Sequence, residues 1–171
     1  MKNKLNSVEV VDIKNYPFAR MNLTEVHRQS LRHRSVIVLV YDSNGKLYLQ
    51  KRNAEKRYYP GRWDLSASGH VYFKESFEDA ALRVLKTKLG IEYANIKELT
   101  ELNASSETGY EFIKLFVLDK PNIVPAPNPD EVESGFFYSM NELEWLLKEC
   151  RELLAPKLVY LNEIKMLYKM K

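Results

Sequence analysis

The stretch that most constrains this 171-residue chain is residues 69–91, GHVYFKESFEDAALRVLKTKLGI. Its second half carries apolar residues at three- and four-residue spacing with charged residues between them, which predicts an amphipathic helix. We expect the helix to begin near Glu75 and to end at Gly90, because glycine readily adopts the left-handed conformation of a helix end. The residues of the packing side are Ala81, Val84, Leu85, Lys88 and Leu89. The opposite side of the helix is charged.

Six residues at fixed spacing give this stretch a resemblance to the Nudix box, written G-x5-E-x7-R-E-U-x-E-E-x-G-U with U a bulky aliphatic residue. They are Gly69, Glu75, Arg83, Leu85, Gly90 and Ile91. Residues 58–71, YYPGRWDLSASGHV, resemble the strand and loop that precede the box. The resemblance implies the α+β Nudix fold, a mixed β-sheet sandwiched between helices. It also implies hydrolysis of a nucleoside diphosphate linked to another group.

The chain departs from the box where the family has three helical glutamates, since Val84, Thr87 and Lys88 take their places. In the family those glutamates hold a magnesium ion, because hard divalent cations need several carboxylate oxygens. A lysine beside the ion also repels it. We therefore expect any site for Mg²⁺ or Mn²⁺ to be weak or altered. A catalytically inactive protein that binds a nucleotide or another diphosphate is the second interpretation.

Two replacements for the lost glutamates are compatible with the sequence. Glu75, Glu78 and Asp79 lie within about one helical turn and could hold the metal there, with Glu75 as a catalytic residue. The competing interpretation is a solvated face, on which Asp79 pairs with Arg83 at i, i+4 spacing. Lys88 could instead bind a substrate phosphate directly and supply part of the metal's charge.

A second set of residues resembles the isopentenyl diphosphate isomerase branch of the family. The resemblance implies that His33, His70 and Glu111 are metal ligands, and imidazole with carboxylate suits zinc or manganese. The alternative is that His33 caps a helix end and His70 forms a hydrogen bond in a loop. Ser68 stands where the isomerases have a cysteine, and Gly109 where they have a glutamate. Because a serine hydroxyl is far less acidic than a thiol, we do not expect isomerase activity.

Three further residues are candidates for the substrate site. Arg52 ends a predicted strand beside a basic loop and could bind a phosphate. Trp63 could contribute to substrate binding as a pocket wall or as a stacking platform, or it could belong to the core. Glu131 lies in an acidic loop that in Nudix relatives often carries a metal ligand or the base that activates water.

Two hairpins are predicted from alternating apolar residues. Residues 34–42 and 46–52 flank Asn44 and Gly45, a strong signal for a tight turn, and we expect this pair of strands at the centre of the sheet. Residues 96–104 and 110–118 flank a polar turn and predict a second hairpin. We divide the single domain, 1–171, into an N-terminal extension (1–32), a core (33–140) and C-terminal helices (141–171).

The composition of the chain restricts the classes of partner that we expect. A net charge of +3 is too small to indicate nucleic acid, and no run approaches the ~18 apolar residues of a membrane helix. The single cysteine, Cys150, excludes an internal disulfide and favours the cytoplasm. We expect a small-molecule diphosphate as the ligand, and both a monomer and a homodimer stay open.

Overall fold

Nine strands and four helices are found in the computed structural model, which describes residues 7–92, 95–118 and 123–168. The strands are β1 (Ser7–Val11), β2 (Pro17–Asn22), β3 (His33–Leu39), β4 (Leu47–Arg52), β5 (Trp63–Asp64), β6 (Ala67–His70), β7 (Ile96–Leu102), β8 (Glu111–Leu118) and β9 (Val132–Tyr138). The helices are α1 (Leu23–Arg28), α2 (Phe77–Leu89), α3 (Met140–Glu149) and α4 (Pro156–Glu163).

The strands form one mixed sheet, one antiparallel sheet and a separate hairpin. The mixed sheet has the order β6-β3-β8-β7, in which β3 runs parallel to β8 and antiparallel to β6. The second sheet has the order β5-β4-β9, and β1 pairs with β2 alone. The predicted mixed β-sheet is therefore confirmed.

Strand β3 connects the two apolar layers of the core. Successive side chains of a strand point to opposite faces. Val36 and Val38 lie in the cluster that contains the apolar side of α2, whereas Ile37 and Leu39 lie in the cluster that contains residues of α3 and α4. A strand buried on both faces reads as a continuous apolar run, as β3 does from Val36 to Leu39. The predicted arrangement of helices on both sides of the sheet is confirmed.

Helix α2 begins two residues later than predicted. Ser76 is the N-cap, and its hydroxyl accepts a hydrogen bond from the backbone N–H of Asp79 at 3.0 Å. Glu75 therefore precedes the helix. Gly90 ends the helix in the left-handed conformation with φ of 63°, as predicted.

The first predicted hairpin is corrected by the structure. Its turn forms, and the N–H of Tyr48 donates to the carbonyl of Val40 at 2.8 Å. Beyond that point β3 pairs with β6 and β8 in one sheet, whereas β4 pairs with β5 and β9 in the other. The two strands diverge because β3 pairs along its whole length with β8, and β4 along its whole length with β9. The second hairpin, β7 with β8, is confirmed.

The C-terminal region is less helical than predicted. After α4 ends at Glu163, Leu167 is buried in the same cluster as α3 and α4 without belonging to a helix. Residues 1–6 of the predicted extension and 169–171 of the predicted C-terminal helices lie outside the described residues. Among the described helices none is long and apolar enough to cross a membrane.

Candidate functional site

A cavity of about 620 Å³ opens between the two sheets. Both sheets line it, together with α2, the start of α4 and the loop of residues 53–62. Its volume lies within the range of ~300–1,000 Å³ that is usual for small-molecule sites. We call the end next to His70 and Glu111 the histidine end, and the end next to Arg52 and Lys88 the cationic end.

Three histidines meet at the histidine end. His27 comes from α1, His33 from the start of β3 and His70 from the end of β6. One ring nitrogen of each lies within 4.8 Å of the others, and no other group of this kind occurs among the described residues. The pairing of β3 with its neighbours explains the meeting, because His33 lies opposite Glu111 and Ser35 opposite His70.

The tautomer of His33 is set by the backbone. Its Nδ1 lies 2.9 Å from the carbonyl oxygen of Leu31, so Nδ1 donates its proton there and Nε2 presents a lone pair. Histidines that bind metals are oriented in this way by their second nitrogen. The Nε2 of His33 and the Nδ1 of His70 are buried without a hydrogen-bond partner in the described part of the chain. Burial lowers the pKa of His33 and lowers the pKa of His70 to about 3, so both rings are neutral at pH 7.

Glu111 faces both unpartnered nitrogens. Its Oε1 lies 3.8 Å from Nε2 of His33 and 4.0 Å from Nδ1 of His70. Its other oxygen, Oε2, accepts a hydrogen bond from the ammonium of Lys157. Burial acts to raise the pKa of Glu111, but Lys157 and the two histidines lower the pKa to about 2. A cluster of three imidazoles with a carboxylate next to two of them offers ligand types that suit zinc or manganese.

The cationic end combines positive side chains with two carboxylates. Nη1 of Arg52 lies 2.9 Å from Oδ2 of Asp64, and Nζ of Lys56 lies 2.7 Å from Oε1 of Glu131. Lys88 lines the cavity beside them, and burial lowers its pKa to about 8 although Asp64 and Glu131 act to raise it. This end can bind an anionic group.

Comparison with known proteins decides the family. A sequence model of the NUDIX domain matches residues 31–158. The chain belongs to the Nudix family. Its fold agrees with this, because a crystal structure of a Deinococcus radiodurans protein superimposes with a TM-score of 0.82, at 21% identity, over 92% of this chain and 98% of that one.

Curated Nudix relatives carry two kinds of name. An isopentenyl-diphosphate Delta-isomerase of Dinoroseobacter shibae is 34% identical over 146 residues, 81% of this chain and 82% of that protein. An uncharacterized Nudix hydrolase of Pseudomonas aeruginosa is 36% identical over 88 residues, 52% of each chain. An uncharacterized Nudix hydrolase of a Nostoc species is 29% identical over 151 residues, 86% of this chain and 89% of that protein.

The Nudix box residues stabilise the loop before α2. Nε and Nη2 of Arg83 donate to the two oxygens of Glu75 at 2.7 and 2.9 Å, and Nη2 also donates to the carbonyl of His70 at 2.7 Å. The predicted pair of Asp79 with Arg83 is therefore wrong. Asp79 accepts a hydrogen bond from the hydroxyl of Ser76 instead.

The three positions that lack the Nudix glutamates have other contacts. Val84 is buried against Gly69, and the hydroxyl of Thr87 donates to the carbonyl of Arg83 at 2.8 Å. Lys88 points toward the cavity. The structure does not bring Glu75, Glu78 and Asp79 together as a metal-binding group within the described residues. Their predicted metal role has no geometric support.

The other predicted site residues are divided between the cavity and its surroundings. Arg52 and Glu131 line it, and their roles stay predictions. Trp63 does not: its ring contacts those of Phe136 and Tyr138, with centroids 6.0 and 5.5 Å away. Its neighbour Asp64 lines the cavity, because adjacent residues of β5 point to opposite faces.

Sequence reasoning missed His27, Asp64 and Lys157. His27 lies on a helix of six residues, too short for a periodic pattern, although it is one of only three histidines in the chain. Asp64 lies next to Trp63 within the segment that resembles the family. Lys157 follows Pro156 at the start of α4, and the only signal available was a basic residue at a helix start, where acidic residues are favoured.

Proposed function

We propose that this protein is a metal-dependent hydrolase of a small organic diphosphate, of the class in which a nucleoside diphosphate is linked to another group. The divalent metal, manganese or zinc in preference to magnesium, is held by His27, His33, His70 and Glu111. This placement differs from the helix of the Nudix box, where the chain lacks the glutamates.

One observation carries the proposal. Two buried imidazole nitrogens, Nε2 of His33 and Nδ1 of His70, have no partner and face the same carboxylate oxygen at the wall of a ligand-sized cavity. Buried polar atoms without partners are rare in folded proteins and are commonly explained by a ligand or an ion. A bound divalent metal supplies Lewis-acid stabilisation of phosphoryl oxygens.

The chain's own residues bind and orient the diphosphate. Nε and Nη1 of Arg52 already donate to the carbonyl of Tyr58 and to Asp64, so a phosphate oxygen meets the remaining N–H groups of the guanidinium. Lys88 adds a second positive charge. Glu131 accepts the proton of the attacking water once a phosphate draws Lys56 away from it. Tyr58 and Tyr59 line the cavity and contact the organic part of the ligand.

The test measures product release from nucleotide sugars, dinucleotides and coenzyme diphosphates with Mn²⁺, Zn²⁺ or Mg²⁺. We expect turnover in the wild type and a turnover rate at least about 100-fold lower in His33→Gln, because loss of one ligand weakens metal binding. Glu75→Gln is the matched control at the box and retains turnover per folded molecule. Turnover that survives in His33→Gln but disappears in Glu75→Gln would place the metal at the box helix and refute the proposal.

Isomerase activity is the second candidate, favoured by the meeting of three histidines with Glu111 and by the name of the Dinoroseobacter relative. Ser68 lines the cavity at the position where the resemblance places a cysteine. Deuterium incorporation into isopentenyl diphosphate in D₂O measures this activity directly. Incorporation without hydrolysis would replace the hydrolase by the isomerase, and saturable binding without either reaction would indicate a binding protein.

A further inference from the structure

Lys157 brings a fixed positive charge to the histidine end. It lies in the first turn of α4 and lines the cavity, and its ammonium donates to Oε2 of Glu111. The carboxylate is almost fully buried, with 4% of its side chain exposed, whereas 29% of the Lys157 side chain is exposed. The lysine is therefore the member of the pair that can turn toward the open cavity.

The charges at the histidine end already balance. Burial lowers the pKa of His27 as it does those of His33 and His70, so the three imidazoles contribute no charge at pH 7. Glu111 contributes −1 and Lys157 contributes +1. A divalent cation placed between the histidines and Oε1 of Glu111 meets a donor set with no net negative charge and an ammonium on the far oxygen of the same carboxylate. Like charges at such short range repel strongly away from bulk water. Metal binding alone is therefore disfavoured by a residue that is not itself a ligand.

An anionic ligand changes this balance. Phosphate oxygens inside the cavity offer Lys157 another partner, and its long flexible side chain can reach them while its backbone stays in α4. The start of a helix also favours anions, because its first N–H groups and its dipole are positive. As Lys157 leaves Glu111, the −1 charge of the carboxylate is no longer offset by an ammonium and is available to the metal.

We propose that Lys157 couples metal binding to ligand binding: it neutralises Glu111 in the free protein, and moves to the anionic group of the ligand when metal and ligand bind together. This rests on the metal site of the proposed function and goes beyond it. Coupling of this kind is reciprocal, so the anion raises metal affinity by the same factor by which the metal raises anion affinity.

The experiment titrates Mn²⁺ alone into the metal-free protein at pH 7.5, with free Mn²⁺ read from its electron paramagnetic resonance signal. We compare wild type with Lys157→Met and Lys157→Gln, which remove the charge, and with Lys157→Arg, which keeps it. We expect the two neutral variants to bind Mn²⁺ at least tenfold more tightly than the wild type, and the arginine variant to stay within threefold of it. Lys148→Met, at an exposed lysine on α3, is the control and leaves the affinity unchanged.

A second titration adds inorganic phosphate at fixed millimolar concentration. Phosphate is expected to tighten Mn²⁺ binding at least fivefold in the wild type and less than twofold in Lys157→Met. Equal or weaker Mn²⁺ binding by both neutral variants, with unchanged thermal unfolding midpoints, would overturn the proposal and make Lys157 a residue that only orients Glu111.

His33→Gln separates this result from failure of the proposed function. If Mn²⁺ binding in the wild type is lost in His33→Gln, the histidine site holds the metal, and the Lys157 variants decide the coupling alone. If His33→Gln, the wild type and the neutral Lys157 variants all bind Mn²⁺ with the same affinity, the histidines do not hold the metal. That outcome refutes the proposed metal site and, with it, the coupling through Lys157.

Discussion

Lys88 reverses the charge of a position at which the Nudix box has a glutamate. Its side chain lines the cationic end beside Arg52, where an anion is expected. Burial lowers its pKa to about 8 from an ordinary value of about 10.5. The side chain is therefore mainly a charged ammonium below pH 8 and mainly a neutral amine above it, at a pH well below that at which an ordinary lysine loses its proton.

Anion binding should report this titration. We expect the affinity of the metal-free protein for sulfate to fall about tenfold as the pH rises from 7 to 9.5. Sulfate is the probe because its own charge is constant over this range. A tenfold loss corresponds to the free energy of one charge-assisted hydrogen bond. Isothermal titration calorimetry measures it. Lys88→Arg stays charged and should bind with little change, whereas Lys88→Met should bind weakly at both pH values. A pH dependence that persists in Lys88→Met would assign the titration to another group.

Glu75 and Arg83 contribute to stability through their paired hydrogen bonds. Arg83→Lys cannot make two parallel bonds to Glu75 and also reach the carbonyl of His70, so we expect the free energy of unfolding to fall by about 1–3 kcal/mol. Urea denaturation measures it. Glu75→Gln should cost a similar amount, and the double variant should cost less than the sum of the two. Glu78→Gln, exposed on the same helix, is the control and should change stability by less than about 0.5 kcal/mol.

At the scale of single residues, the sequence predicted three of the five residues named here at the histidine end. The resemblance selected His33, His70 and Glu111, and the structure brings these three together. Nothing in the sequence connected His27 or Lys157 to them, because both lie on short helices whose positions depend on tertiary packing. The predicted carboxylate site at Glu75 failed geometrically because Arg83, eight residues along the chain, uses both of its oxygens.

At the scale of elements, α2 approaches β6 closely at one point. A Cβ atom added to Gly69 would lie 2.5 Å from Cγ1 of Val84, which is closer than side-chain atoms can approach. The glycine of the box is therefore required by packing between helix and sheet.

A pair of substitutions tests this contact. Gly69→Ala should lower the free energy of unfolding by about 1–3 kcal/mol, because the core must shift to admit the methyl group. Val84→Ala removes the opposing methyl groups, so the double variant should lose less than the sum of the single variants. Thermal and urea unfolding of the four proteins measure this. If the double variant loses as much stability as the two single variants together, the contact with Val84 does not explain the requirement for glycine at position 69.

Elements with local signals were predictable, whereas their partners were not. The pair β7 and β8 was predicted correctly because alternation and a polar turn define a hairpin within about 20 residues of chain. The turn at Gly45 was also predicted correctly, but the assignment of both flanking strands to one sheet was wrong. Pairing of β3 with β8 joins residues far apart in sequence, such as His33 and Glu111, and no local pattern encodes that choice.

At the scale of the whole molecule, the histidine end brings together residues of α1, β3 and β6. His27 belongs to α1, which packs with β1 and β2 around a small apolar cluster of its own, whereas His33 and His70 belong to the mixed sheet. We call β1, β2 and α1 together the N-terminal unit. A metal ion bound by all three histidines should attach this unit more firmly to the mixed sheet.

Hydrogen exchange measured by mass spectrometry tests this attachment. Zn²⁺ at a concentration 100-fold above its dissociation constant should slow exchange in residues 23–33 by up to about 100-fold where exchange requires separation of that unit. His27→Gln should abolish the protection there while leaving some protection around His70. Protection that is unchanged in His27→Gln would exclude His27 as a ligand.

The strand residues at the two ends of the cavity belong to different sheets. His33, His70 and Glu111 are carried by the mixed sheet, and Arg52 and Asp64 by the antiparallel one. Leu49 of one sheet and Ile113 of the other lie in the same buried cluster, so the packing of these side chains sets how far apart the ends lie. We therefore predict that the core limits the length of a ligand able to reach both ends, and that substitutions at residues which no ligand touches change selectivity for ligand length.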